Sequence, residues 1–502
     1  MEELLKEVGS WQKNAIKQEQ IDRYLEGGRD FIDDEKIDAL LKDQRDPEPK
    51  KINAIIQKSL AIETLLPEET AALLSVKDRD LWQLIFETAV RIKKKVYDNR
   101  IVTFAPLYCS NLCVNNCAYC GFRQENSVIK RRRLSIEEIR KETEVLAGGL
   151  GHKRLIVVYG EHPSSGADYI AQTMREIYSV KVKVRNGIGE IRRVNVNAAP
   201  MSVEDLKKIK EAGIGTYQVF QETYHRDTYN KVHPSRTIKG NYRWRLYSLH
   251  RAMQAGIDDV AIGALFGLYD WRFEALGMVC HAQDLEKKFS VGPHTVSFPR
   301  IEPAANTPFT GQTGHRVSDE DFKRLIAVLR LSIPYAGMIV TCRERPGLIR
   351  QVIPMCTQRD ASSRIGVGAY SDRYDEQEEK RQQFILGDTR SLDEVIRELA
   401  AMGYITSFCT AGYRCGRTGD NIMSMLKSGK EGCLCKLNAV LTFQEWIEDF
   451  ASPETKKIGE EIIAKEVEEV KKRMPRDFPE AVYQKFIQYL ERIKRGERDL
   501  CF

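Results

Sequence analysis

Hydrophobic positions recur with two different periods along the chain. In residues 1–100 they recur at helical spacing, most clearly in 51–66 and 78–98, and strand signals are few. From residue 101 onward, short β-branched or aromatic runs alternate with longer amphipathic segments. This change predicts a helical N-terminal extension, residues 1–100, followed by an α/β domain.

Eight of the short apolar runs are predicted to be strands. They begin at Ile101, Arg154, Arg192, Thr216, Val260, His294, Gly337 and Thr357. Capping-box patterns at Ser135–Glu138 and Ser391–Glu394 predict helix starts in the same region. Eight strand–helix units with right-handed crossovers predict an α/β fold, a (β/α)8 barrel of the TIM type over residues 101–394. An open doubly wound sheet has the same alternation and stays an alternative.

The alternation ends near residue 395. Residues 404–438 are rich in Gly and Cys, and two charged amphipathic segments follow at 454–474 and 478–497. We therefore expect residues 395–502 to form a small, mainly helical C-terminal domain around a Cys-containing loop.

Composition and charge describe an ordinary folded protein. The 502 residues include 78 Lys+Arg and 72 Asp+Glu, a net charge of +6, and 42% are hydrophobic. This small positive excess gives no case for binding nucleic acid or an anionic membrane. The longest uncharged run, 101–122, holds too many polar residues for a membrane span. The N-terminus lacks a basic and apolar leader pattern, so we expect a cytoplasmic location.

The twelve cysteines are informative because most of them are clustered. Cys113, Cys117 and Cys120 have the spacing CX3CX2C directly after the first predicted strand, at the end where barrel enzymes place their active sites. Three thiolates on one loop can hold a [4Fe–4S] cluster and leave its fourth iron open to a substrate's amino and carboxylate groups. The alternative is a zinc site that includes Cys109, although zinc cysteines usually come in two separated pairs.

Longer motifs accompany the cysteine loop, namely GEHP at Gly160, GEIRRVNVN at Gly189, VFQETYH at Val219, GLYDWRFE at Gly267, VGPHTVSFPR at Val291 and SFCTA with GRTGD from Ser407. With these motifs the chain resembles the radical S-adenosylmethionine (SAM) tyrosine lyases, which act in [FeFe]-hydrogenase maturation and in thiamine thiazole synthesis. The resemblance covers roughly residues 30–460.

The resemblance implies a reaction with its cofactors and partners. An electron donor such as ferredoxin or flavodoxin reduces the [4Fe–4S] cluster on Cys113, Cys117 and Cys120, and SAM then splits into methionine and a 5′-deoxyadenosyl radical. The radical takes a hydrogen from the amino group of L-tyrosine, and cleavage of the Cα–Cβ bond gives a p-cresol precursor and dehydroglycine. In the hydrogenase branch, dehydroglycine becomes carbon monoxide and cyanide on a C-terminal iron, and other hydrogenase maturation proteins are expected partners.

The resemblance also implies SAM-binding residues. Gly160 and Glu161 match the family's Gly-Gly-Glu-type motif, and Glu161 is expected to accept a hydrogen bond from the SAM amine. Glu222 and Tyr224 end the fourth predicted strand, and Arg272 follows the fifth, where it is expected to clamp the SAM carboxylate. A surface salt bridge is the alternative for Glu222 or Arg272.

Further residues are carried over for the substrate and for iron. Tyr108 is expected near the substrate amine, with a core aromatic as the alternative. Arg364 matches the Arg that binds the amino-acid carboxylate, Ser363 is expected to add a hydrogen bond, and Arg300 is a second candidate. His281 matches the His that binds a labile iron in the hydrogenase branch, with a core or surface His as the alternative.

The C-terminal cysteines depart from the family pattern CX2CX22C. Cys409 and Cys435 occupy its first and third positions, but Gly412 occupies the second and cannot bind iron. Cys415 or Cys433 could complete a three-cysteine site for a second Fe–S cluster; zinc, or no metal, is the alternative. The other cysteines, Cys280, Cys342, Cys356 and Cys501, are expected to be structural.

The Gly412 departure leaves three functional alternatives. The first is the hydrogenase-maturation tyrosine lyase. The second is an aromatic amino-acid lyase with an altered or absent second cluster that serves another pathway. The third is a zinc-stabilised scaffold without radical chemistry. The intact CX3CX2C motif favours a lyase, and tyrosine cleavage is better supported than formation of carbon monoxide and cyanide.

Overall fold

The strands of the protein belong to one large sheet and one small one. A computed structural model describes residues 2–42, 46–372, 382–414, 419, 431–474 and 477–502. Its strands are β1 (Arg100–Ser110), β2 (Arg154–Tyr159), β3 (Val182–Lys183), β4 (Ile188–Gly189), β5 (Arg193–Asn197), β6 (Tyr217–Gln218), β7 (Val260–Gly263), β8 (Thr295–Ser297), β9 (Gly337–Val340), β10 (Gln358–Asp360) and β11 (Ile405–Ser407).

Eight of these strands close into a parallel barrel. Strands β1, β2 and β5 to β10 pair with their neighbours in chain order, and β10 then pairs with β1. In the closing register Val102 lies opposite Gln358 and Phe104 lies opposite Asp360. The predicted (β/α)8 fold is confirmed, and the open doubly wound sheet is excluded because such a sheet does not close on itself. Strands β3 and β4 form a separate antiparallel pair.

Helices precede the barrel, surround it and follow it. The N-terminal helices are Glu2–Ala15, Glu19–Asp22, Asp34–Lys42, Pro49–Leu60, Pro67–Leu74 and Arg79–Tyr97. The barrel helices are Ile136–Glu144, Ala167–Ser179, Val203–Glu211, Arg226–Val232, Tyr242–Leu246, Ser248–Gln254, Trp271–Phe289, Phe309–Gln312, Asp319–Ser332, Pro346–Val352 and Leu392–Ala401. The C-terminal helices are Ala411–Arg414, Glu431–Asp449, Pro453–Lys472 and Glu480–Lys494. Among the residues described, no helix has the length and apolar character needed to cross a membrane.

Local sequence signals explain several helix starts and faces. Both predicted capping boxes form. The side chains of Ser135 and Ser391 each accept a hydrogen bond from the backbone N–H of the glutamate three residues on, and that glutamate side chain accepts one from the backbone N–H of the serine. The helix Arg79–Tyr97 buries one apolar stripe, which shares the main core with the barrel; its members are Trp82, Ile85, Ala89, Ile92 and Val96. The N-terminal extension therefore packs directly on the barrel.

A ninth strand joins the barrel sheet from the C-terminal segment. Strand β11 runs parallel to the start of β1, with Arg100 opposite Ile405 and Val102 opposite Ser407. Because Val102 also pairs with Gln358, β10 and β11 lie on opposite edges of β1. The sequence pattern had placed few strand signals here, and three residues are too few for a period to be detected. The division of the chain at 394/395 stays a prediction.

A buried ion cluster attaches the helix Glu431–Asp449 to the barrel. Lys153 directly precedes β2 and Arg192 directly precedes β5, so both lie at the amino-terminal ends of the strands. Their nitrogens lie 2.6 and 2.7 Å from Glu445 Oε1. Burial opposes the charge on Glu445, but the two cations outweigh it and hold the pKa of this carboxyl below its ordinary value. The helix therefore covers the end of the barrel opposite the strand carboxyl ends.

We expect Glu445→Gln to lower the free energy of unfolding by about 3 kcal/mol, because it leaves the buried charge of Lys153 without its carboxylate and leaves Arg192 with only the two less buried carboxylates of Glu190 and Asp499. Denaturant unfolding followed by circular dichroism measures this. The control is Glu491→Gln, which removes an exposed pair with Lys494 and is expected to change the unfolding free energy by less than about 1 kcal/mol. Equal effects of the two substitutions would contradict the importance of the buried cluster.

Candidate active site

The loop that follows β1 carries three cysteines to a cavity at the carboxyl-terminal ends of the barrel strands. Cys113, Cys117 and Cys120 all line this cavity, which has a volume of about 240 Å³. Residues at the ends of other strands line it too, among them Asn197 at the end of β5 and Ser297 at the end of β8. Because all barrel strands are parallel, their carboxyl ends meet here, where this architecture places chemistry.

Backbone hydrogen bonds hold the cysteine loop in place. The Val114 N–H donates to Glu161 O at 2.8 Å, and the Ala118 N–H donates to Val232 O at 3.0 Å. Arg131 passes beneath the loop and donates from Nη1 to the carbonyl oxygens of Asn111 and Phe122, each at 2.8 Å. The loop is therefore positioned by contacts that do not involve its thiols.

The arrangement of the thiols favours a cluster over a single zinc ion. Cys109 is fully buried in the core, outside the cavity lining, and its thiol donates to Leu107 O at 3.6 Å. Burial raises the pKa of the Cys109 thiol far above its ordinary value. Within the part of the chain that the structure describes, no three His, Cys, Asp or Glu side chains are grouped for one metal ion. Thiolates of a cubane cluster each bind a different iron and so need not converge on one point.

Glycine at position 160 allows β2 to approach the cysteine loop. A Cβ at Gly160 would lie 2.2 Å from Leu112 O, a distance at which one of the two backbones must move. The next residue, Glu161, is buried, lines the cavity and accepts a hydrogen bond from Asn115 Nδ2. Burial raises the pKa of Glu161, an effect that a bound ammonium group would oppose.

Glu222 is a buried carboxylate with two cationic partners. Its Oε1 lies 2.7 Å from Lys239 Nζ and 3.0 Å from Arg245 Nη2. Burial opposes its charge, but Lys239 and Arg245 outweigh burial and hold the pKa of Glu222 below its ordinary value. Its backbone adopts φ 71°, a left-handed conformation that costs energy for a residue with a side chain. The turn thus directs a charged side chain into the cavity.

Arg343 and Tyr108 lie on the same cavity wall. The Tyr108 hydroxyl donates to Gln383 Oε1 at 3.0 Å, and Gln383 Nε2 lies 3.5 Å from Cys120 Sγ. The Arg343 guanidinium lies 3.3 Å from the centre of the Phe384 ring, and burial lowers the pKa of Arg343. Among the described residues Arg343 makes no ion pair, and the carboxylates of Glu302 and Glu222 in the same lining act on it only through their charge.

The structure brings seven of the predicted residues to the cavity wall. They are Tyr108, Cys113, Cys117, Cys120, Gly160, Glu161 and Glu222. Arg364, Ser363 and Arg300 lie outside the lining. Arg364 donates to Ala369 O at 2.9 Å, and Ser363 donates to Asp360 Oδ2 at 2.6 Å. Arg300 Nε donates to Glu344 Oε1 at 3.0 Å.

Tyr224, His281 and Arg272 also lie outside the cavity lining. The hydroxyl of Tyr224 lies 2.9 Å from His281 Nδ1, and both side chains are buried. Burial lowers the pKa of His281 to about 3, so its imidazole is neutral at ordinary pH. Arg272 Nη2 lies 2.6 Å from Asp270 Oδ2 in a partly exposed pair.

The predicted C-terminal ligands are described only in part. Cys409 and Cys435 are half-buried. Cys415 and the side chain of Cys433 lie outside the described residues. Gly412 is buried in the short helix Ala411–Arg414.

Sequence reasoning missed several polar residues of the wall. Arg343 follows β9 by three positions, and Asn197 and Gln218 end β5 and β6, so the rule that selects strand ends could have identified all three. Lys239 and Arg245 carry no such signal, because they belong to the segment after β6 that folds back over the cavity.

Known proteins match this chain along most of its length. Residues 107–276 match the radical SAM superfamily, and residues 297–405 match the Biotin and Thiamin Synthesis associated domain. The chain is 32% identical over 361 residues to the 2-iminoacetate synthase of Salmonella typhimurium, covering 70% of this chain and 89% of that protein.

Two solved structures are similar over nearly the whole chain. One is HydG, a maturase of the [FeFe]-hydrogenase, with 46% identity and a TM-score of 0.88, covering 94% of this chain and 100% of that one. The other is the HydG maturase from Carboxydothermus hydrogenoformans, with 36% identity and a TM-score of 0.76, covering 95% and 99%. The radical SAM match supports a [4Fe–4S] cluster and SAM as cofactors. The chain belongs to the radical SAM enzymes, in the family of 2-iminoacetate synthase and the HydG maturases.

Proposed function

We propose that the chain is a tyrosine lyase that cleaves the Cα–Cβ bond of L-tyrosine to p-cresol and dehydroglycine. The observation that carries this proposal is that the three cysteines of the CX3CX2C loop share one cavity with Tyr108 and with Arg343, whose guanidinium makes no ion pair among the described residues. The name of the Salmonella typhimurium relative adds support, because 2-iminoacetate and dehydroglycine are the same molecule.

The residues of the cavity fit the cofactors of the family. Cys113, Cys117 and Cys120 would hold the [4Fe–4S] cluster, since three thiols and no fourth cysteine line the wall. When bound, the cluster and SAM supply the 5′-deoxyadenosyl radical that removes a hydrogen atom from the substrate. The Glu161 carboxylate accepts a hydrogen bond from the SAM amine, and Gly160 leaves room for close backbone contact.

Arg343 provides the anchor for the carboxylate of the amino-acid substrate. A buried cation is costly without a directly paired anion, and among the described residues the Arg343 guanidinium makes no ion pair, although Glu302 and Glu222 on the same wall interact with its charge. A guanidinium binds a carboxylate through two parallel hydrogen bonds, which also fixes its orientation. Arg364, the residue that the resemblance assigns to this task, is held by Ala369 O outside the lining.

The fate of dehydroglycine depends on the C-terminal segment. Similarity to the HydG maturases favours conversion to carbon monoxide and cyanide for [FeFe]-hydrogenase assembly, with a ferredoxin or flavodoxin as electron donor and other maturation proteins as partners. Gly412 at a ligand position favours a second candidate, a lyase that delivers dehydroglycine to another pathway. A zinc-stabilised scaffold does not account for Arg343 in the same cavity as the cysteine loop.

Anaerobic turnover with reductant, SAM and L-tyrosine is expected to give p-cresol from the iron-loaded protein. Carbon monoxide and cyanide, assayed in the same reaction, distinguish the two candidate fates. Cys117→Ala is expected to abolish SAM cleavage because it removes a cluster ligand. Absence of p-cresol from the loaded, unsubstituted protein would refute the tyrosine-lyase proposal, and zinc without sulfide would favour the scaffold.

Gly160→Ala is expected to reduce SAM binding at least about tenfold, because the new Cβ displaces the cysteine loop at Leu112. Equilibrium binding of SAM to the reconstituted protein and its iron content measure the effect. The matched control is Gly347→Ala, where a Cβ would meet nothing within 4 Å. Normal SAM binding by the Gly160 variant would show that the close approach is not required.

Arg343→Met is expected to raise the KM for tyrosine and lower kcat/KM about 100-fold, as loss of a buried carboxylate contact costs about 2.7 kcal/mol. Arg364→Met is expected to change kcat/KM less than about threefold, since this side chain lies outside the cavity lining. Cleavage of SAM in the absence of tyrosine is the control, because it shows whether the site for the cluster and SAM is intact in each variant. If Arg364→Met has the larger effect on KM, the carboxylate anchor is Arg364 instead.

A further inference from the structure

The last residues of the chain return to the segment that holds the C-terminal cysteines. Phe502 N–H donates to Asn438 Oδ1 at 2.9 Å, and Asn438 Nδ2 donates to Phe502 O at 3.2 Å. Asn438 lies on the helix Glu431–Asp449, one turn after Cys435. The end of the chain is thus fixed beside the part of the helix that carries Cys435.

A second set of contacts ties the same tail to the turn after Cys409. Asp499 accepts hydrogen bonds from both terminal nitrogens of Arg414, one of them at 2.6 Å. Arg414 in turn donates from Nε to Thr410 O at 3.2 Å, and Thr410 directly follows Cys409. The tail therefore bridges the segment of Cys409 and the helix of Cys435.

Cys501 lies between these two anchors. Its Cα is within about 4 Å of that of Phe502 and within about 7.5 Å of that of Asp499, because consecutive Cα atoms are about 3.8 Å apart. The thiol is close enough to the Arg414 guanidinium to interact with its charge. Cys501 is half-buried, as are Cys409 and Cys435.

Cys409 and Cys435 also belong to one region of the fold. Strand β11, which precedes Cys409, pairs with the first residues of β1. Lys436, directly after Cys435, reaches Asp98, two residues before β1, with 3.2 Å between Nζ and Oδ2. Both cysteine segments therefore meet at the amino-terminal end of β1, at the end of the barrel opposite the SAM-site cysteines.

We propose that Cys501 is a metal ligand, and that Cys409, Cys435 and Cys501 together hold an iron–sulfur cluster in which the tail supplies the thiolate that Gly412 cannot. This inference rests on the second Fe–S site that we expect from the sequence at the C-terminal cysteines, and it concerns only the ligands of that site. Three thiolates are sufficient for a cubane cluster with one open iron.

The test uses the full chain, in which the cluster site of the CX3CX2C loop is removed by Cys113→Ala, Cys117→Ala and Cys120→Ala. After anaerobic reconstitution this background is expected to retain about four irons and four sulfides per chain, with an EPR signal on reduction. Adding Cys501→Ala is expected to lower iron and sulfide at least about twofold and to remove that signal. Adding Cys280→Ala, which changes a half-buried cysteine of the helix Trp271–Phe289, is the matched control and is expected to leave both unchanged.

Unchanged iron, sulfide and EPR signal in the Cys501 variant would overturn the proposal, as would zinc without sulfide or no metal in the background protein. If the variant fails to fold by circular dichroism, alkylation of the unsubstituted protein decides instead. Cys501 is expected to resist iodoacetamide in the loaded protein and to react at least about tenfold faster after iron removal by a chelator. Equal labelling in both states would overturn the proposal. None of these measurements depends on p-cresol formation. The ligand proposal can therefore be refuted whether or not the tyrosine-lyase proposal is correct.

Discussion

Closure of the barrel between β10 and β1 is the constraint on which the rest of the structure depends. Once Val102 lies opposite Gln358, the eight parallel strands share one axis and all their carboxyl ends open on one mouth. Residues that are far apart in sequence, such as Cys113 and Arg343, then line one cavity. The opposite end of the barrel is covered by the helix Glu431–Asp449, whose Glu445 pairs with Lys153 and Arg192, and β11 extends the sheet beside the start of β1.

The charged side chains of the active-site cavity differ in whether they have a direct partner of opposite charge, and this difference indicates which ligand groups the cavity accepts. Glu222 pairs directly with both Lys239 and Arg245, so its negative charge is stabilised despite burial. Among the described residues, Glu161 receives its side-chain hydrogen bond from a neutral amide, with Lys239 and Arg245 acting on it only through their charge, and Arg343 makes no ion pair, with Glu302 and Glu222 acting on it in the same way. A ligand set that carries an ammonium group and a carboxylate would satisfy both. Free α-amino acids and SAM carry this pair of groups, which links the electrostatics of the wall to the proposed chemistry.

The sequence predicts the barrel well because its signals are local. Alternating apolar runs and capping serines lie within a few residues of the elements they indicate, as Ser135 and Ser391 illustrate. The sequence also allowed Glu161 and Tyr108 to be predicted as site residues, since they lie at the ends of strands and parallel strands bring their ends together. Lys239 could not be predicted from the sequence, because it reaches the cavity through the fold of a connecting segment that has no periodic signal. Strand β11 could not be predicted either, because its three residues become a strand only by pairing with β1.

The two ends of the barrel hold their cysteines in different ways. At the carboxyl-terminal ends of the strands the three thiols lie on one loop, whose path is fixed by Arg131 and by the close approach of Gly160. At the amino-terminal end of β1, Cys409 and Cys435 come from separate segments that meet there. There the tail is held by Asn438 and Arg414, contacts that do not depend on a metal. In the proposed second site the tail takes the ligand position that Gly412 leaves open, and under that proposal the three-dimensional arrangement of this region is a better guide to metal binding than its cysteine spacing.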